Sequence, residues 1–114
     1  MNTKSFLVTA GSLLFVIAMT ASTRAAEVDA DAAQALTKKS GCLKCHAIDK
    51  KKEAPPYKET AAKNKGKADA EDRLYKHLTT NPKVKVDGKE ETHDSPKTKD
   101  EKEIRNLVRW ILSR

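Results

Sequence analysis

Residues 42–46 read Cys42-Leu43-Lys44-Cys45-His46, and the role of these two thiols and one imidazole decides the fold around them. Cysteines at this spacing serve as a disulfide or dithiol redox pair, as metal ligands, or as anchors for covalent haem. A thioredoxin-like pair requires a βαβ setting, whereas the residues around Cys42 read as helix, turn and proline. A structural zinc site takes four ligands, and the chain has 2 cysteines and no second pair. Haem attachment employs all three residues. Two cysteines three apart face the same side of a helical turn and can bond the two vinyl groups of a porphyrin, while the next residue presents its imidazole to the iron. Cys42 and Cys45 are therefore the expected thioether anchors of one covalent haem c, and His46 is the expected proximal ligand.

The start of the chain agrees with that chemistry. Lys4 precedes the apolar run FLVTAGSLLFVIAMTA, which is followed by polar residues and the small pair Ala25 and Ala26. This is the layout of a secretory signal peptide. Cleavage after Ala25 places Thr23 and Ala25 at the two small positions, so residues 1–25 are expected to be removed and residues 26–114 to form one domain. The run contains Thr9, Gly11 and Ser12 and is shorter than the roughly 20 apolar residues of a spanning helix, so no stable membrane insertion is expected after processing. Export implies an oxidising compartment, here the periplasm.

Without residues 1–25, which hold Lys4 and Arg24 and no acid, the 23 basic and 16 acidic side chains become 21 and 16, a net charge of +5. The excess suits an acidic partner met by electrostatic steering. Export, and lysines without interleaved arginine and aromatic residues, argue against nucleic acid. The domain is small and its large apolar residues are few, so it gains from a covalent staple or a large apolar cofactor at its centre. A small basic monomer is the expected state.

The turn signals divide residues 26–114 into four helices. The first spans about Asp29 to Ser40, with acids at its start and Lys38, Lys39 and Gly41 at its end. Pro55 and Pro56 exclude helix and introduce a short one from Tyr57 to Asn64. A third covers about Asp69 to Thr80, with Leu74 and Leu78 on one face and His77 beside them, and Asn81 and Pro82 stop it. Residues up to Lys97 read as a polar loop. The last helix follows a capping box at Thr98-Lys99-Asp100-Glu101 and carries Ile104, Leu107, Val108 and Ile111 at helical spacing, with Trp110 and Leu112 broadening the stripe.

Two stretches, SGCLKCHAIDKKKEAPPYKETAAKNKGKADAEDRL and TKDEKEIRNLVRWILSR, resemble the small bacterial class I cytochromes c that deliver electrons to periplasmic nitrite reductases and terminal oxidases. The resemblance implies an all-α class I cytochrome c fold, about four helices wrapped round one haem. It further implies that the Pro55 carbonyl accepts a hydrogen bond from His46, that Trp110 packs in the core, that the first and last helices cross, and that redox partners dock at the haem edge beside the CLKCH turn. The loop between the two stretches is where the likeness fails.

Members of that family normally supply a loop methionine as the sixth ligand. This chain has only Met1 and Met19, both in the leader. His93, just before Asp94, Ser95 and Pro96, stands near the missing methionine's place relative to the last helix, and it is the expected distal ligand. His77 is its competitor; a loop lysine such as Lys85, Lys89 or Lys97, or an open site, completes the alternatives. Imidazole in place of thioether removes sulfur's preference for ferrous iron and lowers the potential. No side-chain constellation outside the haem motif reads as catalytic. The expected function is a non-enzymatic one-electron carrier, or the haem subunit of an oxidoreductase, steered by Lys44, Lys50, Lys51 and Lys52. Its rival is a small-ligand binder or sensor for nitric oxide or carbon monoxide, with a labile or open sixth position.

Overall fold

The computed structural model describes residues 26–114, so the expected leader and its cleavage point lie outside the described residues. Four helices and one hairpin follow in the order α1 (Ala30–Ser40), α2 (Tyr57–Asn64), α3 (Ala70–Thr79), β1 (Lys83–Val86), β2 (Lys89–Thr92) and α4 (Glu101–Leu112), with a single 3₁₀ turn at Cys42–Lys44.

α1 begins where the Asp29 carboxylate accepts the Ala32 N–H at 3.0 Å, filling one of the donors a helix start leaves open. It ends at Gly41, whose φ of 73° is the left-handed conformation that glycine adopts without steric penalty. That reversal starts the CLKCH turn: Lys44 N–H donates to Gly41 O at 3.2 Å and His46 N–H to Cys42 O at 2.9 Å.

α4 is the centre of the fold. Its buried face of Ile104, Leu107, Val108, Trp110 and Ile111 continues the apolar stripe seen in the sequence. Leu107, Trp110 and Ile111 form one core with Ala33 and Leu36 of α1 and Tyr57 of α2, and Leu74 and Leu78 of α3 pack against its margin. α1 and α4 are also stitched by one amide: Asn106 Oδ1 accepts from Asp29 N–H and Asn106 Nδ2 donates to Asp29 O, each at 2.8 Å. α3 is tied to α4 by Glu71, whose carboxylate accepts from Arg105 at 3.3 Å and from Arg109 at 2.9 and 3.1 Å.

Two local expectations need correction. The N-cap of α4 is Asp100, not Thr98: its carboxylate accepts the N–H groups of Lys102 and Glu103, while the Thr98 hydroxyl donates to the Glu103 carboxylate. A carboxylate caps as well as a hydroxyl, so a second capping pattern starting two residues later competed and prevailed.

The other correction is that residues 83–92 are not an irregular loop but an antiparallel hairpin, pairing Lys83 with Thr92 and Val86 with Lys89. Its two turn residues, Asp87 at φ 48° and Gly88 at φ 79°, both take the left-handed conformation of the tight turn that matches strand twist. Lys-Val-Lys-Val before Asp-Gly was the available signal; strands of four residues gave it little length.

Candidate haem site

Cys42 and Cys45 sit at the start and just beyond the end of the 3₁₀ turn as free, partly exposed thiols. Burial raises the Cys42 thiol, an effect partly offset by the Tyr57 hydroxyl beside its sulfur. Cys45 is also raised, chiefly because its S–H donates to the Glu53 carboxylate at 3.3 Å. Leu43 and Ile48 beside the two cysteines are exposed. Lys44, Lys50, Lys51 and Lys52 are exposed around the same turn, and the Lys52 ammonium donates to Leu43 O at 2.6 Å.

The His46 ring is fixed on two sides. Its Nδ1 lies 2.8 Å from Pro55 O, the contact expected from the resemblance, which makes Nδ1–H the donor and leaves Nε2 free. Its face stacks on Tyr57, ring centres 5.2 Å apart and planes 20° apart. Tyr57 in turn meets Trp110 edge to face at 5.7 Å. In the sequence Tyr57 is legible only as the first residue of the short helix that follows Pro56. Its place under His46 depends on Pro56 starting α2 beside α4, which no local pattern announces.

The hairpin returns the chain to its own beginning. His93 N–H donates to Pro82 O at 2.9 Å and the Asn81 amide donates to His93 O at 3.0 Å. This clasp brings His93 opposite His46, ring centres 6.2 Å apart and planes inclined at 60°. His77 reaches the same place from α3, its ring centre 4.6 Å from that of His93. Burial is the main cause of a lowered pKa at both His77 and His93; the neighbouring imidazoles add to it, and Asp94 opposes it at His93. All three histidines thus meet at one end of the helical body. The structure brings together every histidine singled out in the sequence.

The family model for cytochrome c matches residues 30–114. The chain belongs to the cytochrome c family. It is 38% identical over 80 residues to cytochrome c-551 of Pseudomonas aeruginosa, covering 70% of this chain and 74% of that one. The class 1 cytochrome MtoD of Sideroxydans lithotrophicus has a similar structure: TM-score 0.73 and 47% identity, over 76% of this chain and 97% of that one. Cytochrome c552 of Nitrosomonas europaea is also similar, with a TM-score of 0.56 and 25% identity over 70% of this chain and 96% of that one. The all-α class I fold expected from the sequence is therefore the fold of the protein, which is a monohaem c-type cytochrome with one covalently bound haem c.

The residues present fit that group. Two unpaired thiols flank one turn, and the following imidazole has its outer nitrogen engaged by a carbonyl, the usual support for a ligating histidine. His46 and His93 are also spaced so that a metal could lie between them. A metal–imidazole bond of about 2 Å on each side, with about 1 Å from each bonding nitrogen to its ring centre, spans about 6 Å between ring centres. His46 and His93 are 6.2 Å apart, whereas His77 and His93, at 4.6 Å, are too close to hold an iron between them.

Proposed function

We propose that this cytochrome is an exported one-electron carrier with bis-histidine ligation: Cys42 and Cys45 hold the haem thioethers, His46 is the proximal ligand and His93 the distal one. The observation that carries it is the 6.2 Å between the His46 and His93 ring centres. Haem c, when bound, supplies a one-electron ferric/ferrous couple.

The chain's residues set how that couple behaves. Pro55 O, by accepting the Nδ1 proton of His46, orients the ring and increases its donor strength toward ferric iron. His93 in place of methionine acts in the same direction, so the midpoint potential is expected below that of His/Met relatives. An iron held by both His46 and His93 would have no coordination site left for a substrate. This supports a carrier, or a non-catalytic haem subunit of an oxidoreductase, over an enzyme.

Redox partners follow from family membership; the docking surface is part of the proposal. Leu43 and Ile48 give an exposed apolar contact beside the Cys45 turn, and Lys44, Lys50, Lys51 and Lys52 surround it with positive charge. An acidic partner is drawn to such a patch, with association rates that fall as salt rises. Action in the periplasm as a monomer, after removal of residues 1–25, completes the proposal. The apolar leader supports it, as does the finding that among the described residues no helix is long and apolar enough to cross a membrane.

The test is the absorption spectrum of the purified holoprotein, ferric and ferrous, beside that of His93→Ala. Low-spin iron in both states of the native protein, turning high-spin in the variant, is the expected result. A high-spin native protein overturns His93 ligation and favours a small-ligand binder; a variant spectrum identical to the native one also overturns it and assigns the sixth position to another side chain such as His77.

A further inference from the structure

Two imidazoles occupy the distal side where one suffices, and the second has no role in the proposal above. His77 lies in the last turn of α3, and its ring centre is 4.6 Å from that of His93 with planes inclined at 59°. His93 Nδ1 is completely covered by protein and has no side-chain hydrogen-bond partner, the Asp94 backbone being the one main-chain group beside the ring that acts on it. A nitrogen enclosed by protein cannot face the porphyrin, so the nitrogen of His93 available to iron is Nε2. A neutral imidazole bound to metal through Nε2 carries its proton on Nδ1. That buried N–H then requires an acceptor.

His46 meets the same requirement with Pro55 O. At His93 the side chain packed against the ring is His77, and a neutral imidazole has one acceptor nitrogen. No hydrogen bond joins the two rings as they stand, but a ring-centre separation of 4.6 Å is short enough for one between suitably turned imidazoles. The main chain is already in place: Asn81 and Pro82, which follow α3 after its cap Thr80, hold the carbonyl and N–H of His93. The end of α3 thus supports both the backbone and the ring of the same residue.

We propose that His77 is the positioning residue of the distal ligand: it accepts the Nδ1 proton of His93 and fixes that ring's tautomer and orientation toward iron. The inference rests on His93 being the distal ligand. Outer partners of ligating histidines commonly govern affinity for the metal by 10–100-fold. Loss of His77 therefore frees His93 from iron more often without abolishing its binding.

Carbon monoxide competes with His93 for ferrous iron, so its apparent affinity for the holoprotein reports how firmly that ligand is held. His77→Phe, which removes the acceptor and keeps a ring, is expected to raise that affinity about 10–100-fold. His77→Gln, whose side-chain oxygen can accept, is expected to restore most of the native value. In the diamagnetic ferrous protein, the slowly exchanging Nδ1 proton of His93 should be visible by NMR in the native and Gln forms and absent from the Phe form.

Native affinity in His77→Phe overturns the inference and leaves the Asp94 backbone beside the ring as the holder of the proton. Equal effects of Phe and Gln also overturn it, because His77 then serves only to pack. His93→Ala separates the two levels: if it binds carbon monoxide no better than the native protein, His93 is not the ligand and both proposals fall. If His93→Ala opens the iron and His77→Phe does not, only the role of His77 is lost.

Discussion

The two faces of the haem site are built in opposite ways. On the proximal face, Cys42, Cys45 and His46 lie within five residues, and the acceptor for His46, Pro55, is nine residues away. On the face we propose as distal, His93 is brought in by a ten-residue hairpin closed on Asn81 and Pro82, and its neighbour His77 belongs to another element. The proximal ring is held by a carbonyl and a stacked Tyr57 backed by Trp110; the distal ring has its main chain held and its Nδ1 without a side-chain partner. The difference teaches that a histidine beside the anchoring cysteines can be encoded by a short motif, whereas the histidine proposed as sixth ligand reaches its place only through loop closure. Ligand exchange should therefore begin on the distal side.

The largest effect expected is on the proximal face. Replacing both thiols, Cys42→Ala with Cys45→Ala, should eliminate haem that stays with the chain after denaturation, measured by haem staining of a denaturing gel. The distal variants His77→Phe and His93→Ala should keep full covalent haem. Haem loss in those variants would break the division between the faces.

Next comes Trp110→Ala, which removes the ring behind Tyr57 from a position 1% exposed. A buried aromatic cut to alanine costs about 3–5 kcal/mol, to be read from denaturant unfolding of the holoprotein. The variant should remain low-spin where it is folded.

Asn81→Gly sharpens the comparison from the other side. Asn81 has φ 48°, so glycine keeps the backbone shape while deleting the amide that donates to His93 O. A loss of about 1 kcal/mol is expected, together with faster carbon monoxide uptake by ferrous iron. Unchanged uptake would mean that the clasp does not restrain His93.

The smallest effect expected is on the pH dependence of stability. His77 has a pKa below the ordinary 6.5 in the folded chain, mainly through burial. The unfolded chain therefore binds more protons as pH falls below 6.5, and its stability contribution, unchanged above that value, is lost progressively on acidification. His77→Gln should flatten the loss of unfolding free energy between neutral pH and the mildly acidic range. An unaltered slope would place the acid sensitivity elsewhere.

The helices were legible because their signals are local. Asp29, Gly41, Pro56 and the α4 stripe each act within a few residues of where they stand, and apart from the start of α4, displaced to Asp100, the helix ends fell where those residues put them. The hairpin was missed because Lys-Val-Lys-Val and Lys-Glu-Glu-Thr are weak strands alone. They gain order from pairing across Asp87 and Gly88 and from the clasp at Asn81.

By itself the sequence determined the kind of cofactor and the class of fold. Thiol and imidazole spacing within one turn is a chemical statement that needs no tertiary structure, and the missing methionine removes the usual distal ligand in the same way. Only the tertiary structure decided which histidine faces His46, that Tyr57 is the shelf beneath it, and that His77 stands behind His93. Those relations join residues on separate elements, and their distances are set by how α2 and α3 pack on α4 and by where the hairpin closes.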